Sequence, residues 1–304
     1  MFAFKKSLDD RIFEACNTAF LFVVTTLVLY PLVFTVSASI SDPTFVNSGE
    51  VFLWPRGVTF KGYTEVLKEA SVWRGYLNTV YYVSVDVVVS VTVIISAGYA
   101  LSRPDRLRAS RPLTLFFTFT MLFSGGLIPL YLVLRALGMI NTVWALTLPQ
   151  AAPVFHIIIA RTFFRTGIPN DLYDAAEIDG ATFSQTFFRL VVPLSKAIIV
   201  VIALFKGVFQ WNSFFAPLVF LTDEAKAPLQ IVLRNILLAN QSVAASGGTD
   251  MLSPEALAEL AERALRAEQM KYSLIIIGSL PVLAIYPFLQ RHFTKGVMLG
   301  SLKG

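Results

Sequence analysis

Two charged residues, Asp86 and Lys206, lie inside long apolar stretches of the sequence and are the first candidates for chemistry. A charge in the hydrocarbon core of a membrane costs a few kcal/mol, so such a residue rarely faces lipid. Asp86 is about ten residues from one end of its stretch and Lys206 is similarly placed in another, so antiparallel helices bring them to comparable depths. We predict that the two pair with each other or flank a translocation path, and a purely structural ion pair stays an equal alternative.

Three polar residues, Gln210, Trp211 and Asn212, follow Lys206 on the same stretch. An aromatic face beside side-chain amides can hold a sugar, because the ring packs on the sugar and the amides form hydrogen bonds with its hydroxyls. Tryptophan is also frequent at membrane interfaces. We expect Trp211 to be a packing residue, with sugar contact as the alternative. Asp86, Lys206 and this trio are the predicted path residues.

The sequence lacks the residues that most enzymes and metalloproteins need. Its one cysteine, Cys16, excludes an intrachain disulfide, and His156 and His292 lie far apart, so we expect no metal site. No nucleophile–base pair stands at helical spacing, and no Gly-x-x-x-x-Gly-Lys-Ser/Thr loop is present to bind a nucleotide. We therefore predict a chain without catalytic residues and without a bound cofactor of its own.

The composition is that of a membrane protein. Of 304 residues, 55% are hydrophobic and 15% are charged, whereas about 25% are charged in soluble domains. Apolar stretches of at least the roughly 20 residues that cross a bilayer predict one all-α polytopic domain over 1–304. Its six transmembrane helices are expected at approximately 15–41, 75–102, 112–134, 136–160, 190–222 and 272–290. Within the third, Ser124-Gly125-Gly126 predicts close helix approach, with a broken helix as the alternative.

Lysine and arginine in the short loops set the expected orientation, because cytoplasmic loops are enriched in both. Six spans place the basic amino end, the loop 103–111, the loop 161–193 and the basic carboxyl tail on one side, which we predict to be cytoplasmic. The net charge of +5 is thus accounted for by topology rather than by a nucleic-acid partner. The longer loops, 42–74 and 223–271, are expected outside, the second with a helix that begins near residue 253.

The loop 161–193 contains a polar segment, residues 173–193, in an otherwise apolar chain. Its first part predicts a short helix, Gly180 ends that helix in a turn, and apolar residues at helical spacing then predict a second helix before Pro193. A helix, a glycine turn and a helix between two membrane spans form a compact knob. Such a knob can dock into another protein.

The spacing of the segment resembles the EAA loop of ABC importer permeases. That pattern is Glu-Ala-Ala, three residues, Gly, nine residues and Ile-x-Leu-Pro. The matching positions are Ala175, Ala176, Gly180 and Pro193. The departures, each conservative in charge or apolarity, are Asp174 for Glu, Leu190 for Ile and Val192 for Leu.

Further motifs resemble the carbohydrate permeases of the maltose-transporter group, closest to the branch associated with complex oligosaccharides. The motifs fall at 124–129, 137–146, 161–164, 211–221 and 295–304, and the likeness covers nearly the whole chain. The resemblance implies the type I ABC importer permease fold, in which six transmembrane helices carry a cytoplasmic coupling-helix loop. It also implies a place in the bacterial plasma (inner) membrane, with both termini in the cytoplasm.

The same resemblance implies the partners. A second permease subunit shares the path through the lipid bilayer, two ATPase subunits use ATP and Mg, and an extracytoplasmic solute-binding protein delivers an oligosaccharide substrate. Closure of the ATPases would rock the spans from inward-open to outward-open. The carboxyl tail 300–304 either reaches the ATPases or ends as a frayed terminus. The residues implied in ATPase coupling are Asp174, Ala175, Ala176, Glu177, Gly180 and Pro193.

Two other classes of function are alternatives to a transport subunit. An ion-coupled secondary transporter would act without an ATPase, but the sequence has six predicted spans, no evident inverted repeat and one carboxylate within the spans. An intramembrane enzyme would need paired catalytic residues at helical spacing, and the sequence offers none. The discriminating observation is whether uptake needs an ATPase.

Overall fold

The computed structural model of the chain describes residues 7–245 and 270–287, of which 239–245 are described by their backbone only. Every regular element in this part of the chain is a helix, which confirms the predicted all-α class. The expected outer helix near residue 253 and the tail 300–304 lie outside the described residues. The α-helical elements are α1 Leu8–Ser39, α2 Pro43–Asn47, α3 Lys61–Lys68, α4 Ala70–Ser102, α5 Ser110–Leu122, α6 Leu127–Ala136, α7 Val143–Thr147, α8 Val154–Gly167, α9 Asn170–Ile178, α10 Phe183–Leu194, α11 Lys196–Trp211, α12 Phe215–Phe220, α13 Leu229–Ala245 and α14 Met270–Pro287.

Three of these helices, α1, α4 and α14, are each long and apolar enough to cross a membrane unbroken. Three bent pairs meet the same requirement as pairs: α5 with α6 at 115°, α7 and its following turn with α8 at 52°, and α10 with α11 at 78°. The described residues thus provide up to six membrane crossings, in the order expected from the sequence. Half of them are broken helices, which apolar composition alone does not predict.

The sharpest break, between α5 and α6, falls at Ser124-Gly125-Gly126. Gly126 has a φ of 85° and stands at the amino end of α6, in a conformation that glycine adopts without steric cost. Among the described atoms, a Cβ added at Gly126 would meet nothing within 4 Å, and one at Gly125 would meet only Pro129, at 3.9 Å. The preferred prediction of close helix approach is therefore wrong here, because these glycines serve to turn the chain.

Close helix approach occurs instead at Gly98 of α4. A Cβ at this position would lie 2.7 Å from the Cβ of Ala160 and 3.0 Å from the backbone nitrogen of Arg161, both in α8. The Arg161 Nε donates a hydrogen bond to the Leu101 carbonyl at 3.1 Å across the same contact. The small residue lets the two backbones approach, as small residues do in membrane helix pairs.

The fifth predicted span, 190–222, differs most from the observed helices. Its first residues belong to α10, which meets α11 at the 78° bend, and α11 ends at Trp211. The short helix α12 then begins at Phe215. The apolar run is continuous in sequence, but the backbone changes direction twice within it.

Contacts divide the described residues into two compact units. One comprises the described parts of 1–70 and 233–280, with Val66 and Leu274 fully buried. The other comprises 71–232 and 281–287 and contains every residue predicted for coupling or for the path. An apolar core of this second unit includes Ile94, Tyr99, Ile157, Phe164, Val191 and Ile202.

Candidate functional site

The predicted knob consists of α9, a glycine turn and α10. Asp171 lies in the first turn of α9, where a carboxylate complements the exposed backbone N–H groups. Gly180 has a φ of 72°, the left-handed conformation that ends the helix with the least strain in glycine. Thr182 and Gln185 then form a capping box that starts α10. Each boundary of the knob therefore follows from a local sequence signal.

One face of α9 is covered by the rest of the unit through Tyr173. This tyrosine is 5% exposed, its ring stacks 6.4 Å from that of Tyr99, and the Arg103 guanidinium lies 4.2 Å above it. Two rings of α10, Phe183 and Phe187, also contact Tyr99, at 5.0 and 5.1 Å between ring centres. An aromatic cluster at the end of α4 therefore holds both helices of the knob.

Burial of Tyr173 has an electrostatic consequence. Loss of solvent raises the pKa of its hydroxyl to about 12. The hydroxyl oxygen is buried and has no hydrogen-bond partner among the described residues. It lies beside a cavity of about 290 Å³, whose lining includes Arg106, Glu177 and Thr182. The Tyr173 hydroxyl therefore stays neutral at physiological pH, while its ring packs in the aromatic cluster.

The opposite face of α9 is not covered by any part of the chain that the structure describes. Asp174 and Ala175 are exposed, and Ile178 is 86% exposed. Ala176 is half-buried, so of the two motif alanines Ala175 is the more accessible. Sequence reasoning missed Ile178, although it stands four residues after Asp174 and so lies on the same helix face.

The Glu177 carboxylate makes an ion pair inside the chain. Its partner is the Arg106 guanidinium of the segment between α4 and α5, which also lies 3.9 Å from the Asp105 carboxylate. The hydrogen bond from Arg106 holds the pKa of Glu177 below its usual value. The sequence predicts that this carboxylate contacts an ATPase, and it gives no sign of a partner for it in the loop 103–111. Glu177 thus ties α9 to a basic loop, and its contact with an ATPase stays a prediction.

Pro193 lies near the end of α10, two residues after the end of a π-helical turn over Thr186–Val191. The segment then bends by 78° into α11. Proline lacks a backbone N–H and cannot complete the regular hydrogen-bond pattern of a helix. Its position marks the junction between the knob and the next apolar helix.

The second predicted site is a buried ion pair. The Lys206 Nζ of α11 lies 3.2 Å from the Asp86 Oδ2 of α4, and the two side chains are 2% and 0% exposed. Ser90 donates a hydrogen bond to the other carboxylate oxygen at 3.3 Å. Lys206 also donates to the Gln150 carbonyl at 2.9 Å.

The Gln150 carbonyl lies at the break between α7 and α8. A break in a membrane helix frees backbone groups that must find partners inside the protein. Lys206 supplies one such partner while its charge is balanced by Asp86. The pair therefore joins α4 and α11 to the broken fourth span, and it is closed to solvent in this conformation. Its place in a translocation path stays a prediction.

The residues that follow on α11 face different surroundings. Gln210 is 5% exposed, and Trp211 is 7% exposed with its ring 5.6 Å from that of Tyr76. Asn212 is exposed and donates a hydrogen bond to the Val208 carbonyl of the preceding turn at 2.9 Å. Trp211 also borders an apolar cavity of about 360 Å³ among α4, α11 and the end of α14. Trp211 therefore packs, and sugar contact by this trio is untested.

Comparison with known proteins gives close relatives over the full length. The chain is 35% identical to protein LplC of Bacillus subtilis, over 97% of this chain and 96% of that protein. It is 33% identical to the polygalacturonan/rhamnogalacturonan transport system permease protein YtcP of the same organism, over 98% and 100%. In the crystal structure of a bacterial ABC transporter involved in the import of the acidic polysaccharide alginate, one chain matches with a TM-score of 0.83 and 32% identity, over 96% of this chain and 100% of that one. No protein-family model matches.

Proposed function

The chain belongs to the permease subunits of carbohydrate ABC importers, and on this premise we propose that it imports an oligosaccharide together with a second permease chain, two ATPase subunits and a solute-binding protein. It is a non-catalytic, multi-pass membrane subunit. ATP and Mg are used by the ATPases, whose closure moves this chain between inward-open and outward-open states.

The observation that carries this proposal is the uncovered face of α9. The helix is held from behind by Tyr173 and the aromatic cluster, while Asp174, Ala175 and Ile178 have no cover from the described part of the chain. Small, acidic and apolar side chains in a row suit a cleft that has basic groups and an apolar floor. An ATPase with such a cleft would move α9 as a rigid body.

The contacts that join the knob to α4 and to the loop after α4 support its movement as a rigid body with the spans. Arg103 and Arg106 both reach α9 from the end of α4 and the loop after it. A displacement of α9 is therefore transmitted to α4, and α4 carries Asp86 of the buried pair. This gives a physical route from the docking face to the spans without any chemistry in the chain itself.

The proposed orientation has the knob and both termini in the cytoplasm of a bacterial cell, with this chain in the plasma membrane. The ion pair between Arg106 and Glu177 supports a common side for the basic loop 103–111 and the loop 161–193. Basic short loops favour the cytoplasmic side.

Cysteine cross-linking in the assembled complex tests the docking face. On a Cys16→Ser background, Ile178→Cys and Ala175→Cys should each form a cross-link to the ATPase that changes with ATP. Lys68→Cys, on the exposed surface of α3, is the matched control and should form none. Uptake by the isolated chain without any ATPase would contradict the proposal and favour an ion-coupled secondary transporter.

The substrate is tested through ATP hydrolysis. One relative is named for the transport of polygalacturonan/rhamnogalacturonan, and the matched structure is of a transporter involved in the import of the acidic polysaccharide alginate. Acidic and neutral oligosaccharides of matched length should be added, with the solute-binding protein, to the complex in lipid nanodiscs. The transported class is the one that stimulates hydrolysis several-fold. Stimulation by no oligosaccharide would contradict the sugar assignment while leaving the ATPase docking intact.

A further inference from the structure

The segment between α2 and α3 presents an unusual number of exposed apolar side chains. Trp54 is 81% exposed, and the others that are more than 40% exposed are Phe52, Leu53, Val58 and Phe60. Single exposed apolar residues are ordinary, but a group of this size in one short stretch indicates a surface that something covers. We call residues 51–60 the interface segment.

The interface segment is held firmly against the end of α1. The Leu53 carbonyl accepts a hydrogen bond from the Ser37 hydroxyl at 2.5 Å, and the Thr59 backbone N–H donates to the Ile40 carbonyl at 2.9 Å. The Arg56 carbonyl accepts from the Asp42 backbone N–H at 3.1 Å. These backbone polar groups are therefore bonded within the protein, which an apolar environment requires.

The depth of the segment follows from its contact with α1. The Phe52 ring lies 5.4 Å from the ring of Tyr30. Tyr30 stands nine residues before Ser39, the last residue of α1, and hence lies roughly 14 Å from that end of the helix. Glu14 is the last charged residue of α1. A hydrocarbon core of about 20 helical residues that begins there ends near Phe34. Tyr30 stands four residues before Phe34, so Phe52 lies roughly 6 Å inside this edge of the hydrocarbon.

Composition agrees with this depth. Tryptophan and other aromatic residues concentrate where hydrocarbon meets headgroups. The one arginine of the segment, Arg56, pairs with Glu50 at 2.9 Å, so no unbalanced charge of its own opposes contact with lipid. The surface is also continuous, through Tyr30, with α1, most of whose length is exposed and apolar.

We propose that the interface segment, through Phe52, Trp54 and Val58, is a membrane anchor that lies in the headgroup boundary at the carboxyl end of α1. The exposed side chains of the segment contact lipid, whereas those of an ordinary loop would contact water. The anchor fixes the height of α1 in the bilayer while other helices move. It requires only that the chain spans the membrane, so it is independent of ATPase docking and of the transported sugar.

Spin labels at single cysteines test the anchor in the assembled complex in phosphatidylcholine–phosphatidylglycerol nanodiscs. On a Cys16→Ser background, Trp54→Cys and Val58→Cys should collide more with oxygen, which dissolves in lipid, than with a water-soluble nickel chelate. Lys68→Cys, whose native side chain is 72% exposed on α3, should show the reverse. The oxygen-to-nickel ratio should differ several-fold between the two sites and the control.

A second measurement needs only one mild substitution. Lipids brominated near the headgroup should quench the tryptophan fluorescence of the native chain, and Trp54→Phe should remove part of that quenching. Nickel access at 54 and 58 equal to that at 68, with unchanged quenching, would overturn the proposal in favour of an aqueous loop. Protection from both reagents, with or without the solute-binding protein, would overturn it in favour of a protein contact.

Discussion

At the residue scale, the pair of Asp86 and Lys206 shows how charge can stabilise a broken span. Burying two charges is costly, and their attraction offsets that cost only when geometry is good and other hydrogen bonds are made. Here Ser90 bonds to the carboxylate and the Gln150 carbonyl accepts from the ammonium. The lysine thus does two things at once, since it balances Asp86 and satisfies a backbone group that the helix break leaves free.

Removing one charge of this pair should destabilise the chain more than removing both. Asp86→Leu or Lys206→Met should each lower the free energy of unfolding by roughly 3–5 kcal/mol, because a buried charge loses its partner. The double variant should regain most of this, short of roughly 1–3 kcal/mol for the unbonded Gln150 carbonyl. Unfolding in mixed micelles measures each value, with the exposed Ser84→Ala as control. Additive losses in the double variant would show that the two charges do not interact.

The pairing of Glu177 predicts how the knob responds to pH. Arg106 lowers the folded-state pKa of Glu177 below its ordinary value of 4.5. A lowered carboxylate pKa contributes stabilisation that is complete above 4.5 and is lost as pH falls through the lowered value. The contact should therefore be fully present across the neutral range.

Hydrogen exchange over residues 170–180 measures this contact. Glu177→Gln should raise exchange by the same factor at about pH 5 and about pH 8, after correction for intrinsic rates. Asp174→Asn, at an exposed carboxylate on the same helix, should leave exchange unchanged. A difference between Glu177→Gln and the native chain that already vanishes at about pH 6 would contradict the lowered pKa.

At the element scale, glycine lets two membrane helices pack closely in one place and breaks a span in another. Helices α4 and α8 touch at backbone distance because Gly98 faces Ala160, whereas α5 and α6 part at Gly126. The same residue type has opposite roles in the two places. Which role applies depends on whether another helix lies opposite the glycine, and neighbouring residues in sequence do not reveal that.

Gly98→Ala should destabilise the contact of α4 with α8. The added Cβ would lie 2.7 Å from that of Ala160, well inside van der Waals contact, and overpacking of this kind costs typically about 1–3 kcal/mol. The matched control is Gly207→Ala on α11, where the new Cβ would meet its nearest atom at 3.7 Å. Thermal unfolding in detergent should show a lower midpoint for Gly98→Ala only.

A second substitution makes this test specific. Ala160→Gly added to Gly98→Ala removes the nearest clashing atom but leaves the Arg161 backbone nitrogen at 3.0 Å, so the double variant should lose less stability than the two single losses added together. If the losses of Gly98→Ala and Ala160→Gly are simply additive in the double variant, the Cβ of residue 98 does not clash with that of Ala160.

At the scale of the whole molecule, the proposed topology has the loop 161–193 in the cytoplasm and the loop 42–74 outside. This follows from the number of crossings between them, α4, the α5–α6 pair and the α7–α8 pair. Motion enters at α9 on the proposed cytoplasmic side. The proposed anchor holds α1 at the other surface.

Labelling of intact cells tests this topology. On a Cys16→Ser background, a membrane-impermeant maleimide should label Lys68→Cys from outside, and it should label Ile178→Cys only after the cells are opened. The reason is the odd number of crossings that separates α3 from α9. Labelling of Ile178→Cys in intact cells would reverse the proposed orientation and remove the ATPase from the knob.

The sequence by itself determined the all-α membrane class, the order of the crossings and the helix–turn–helix form of the knob. These depend on features that act locally: the lengths of apolar stretches, the left-handed turn at Gly180 and the capping box at Thr182. The tertiary structure decided where spans break, that Glu177 pairs with Arg106, that Lys206 reaches Gln150, and which face of α9 stays uncovered. Each of these is a contact, or the lack of one, between residues far apart in sequence, and only packing brings such residues together.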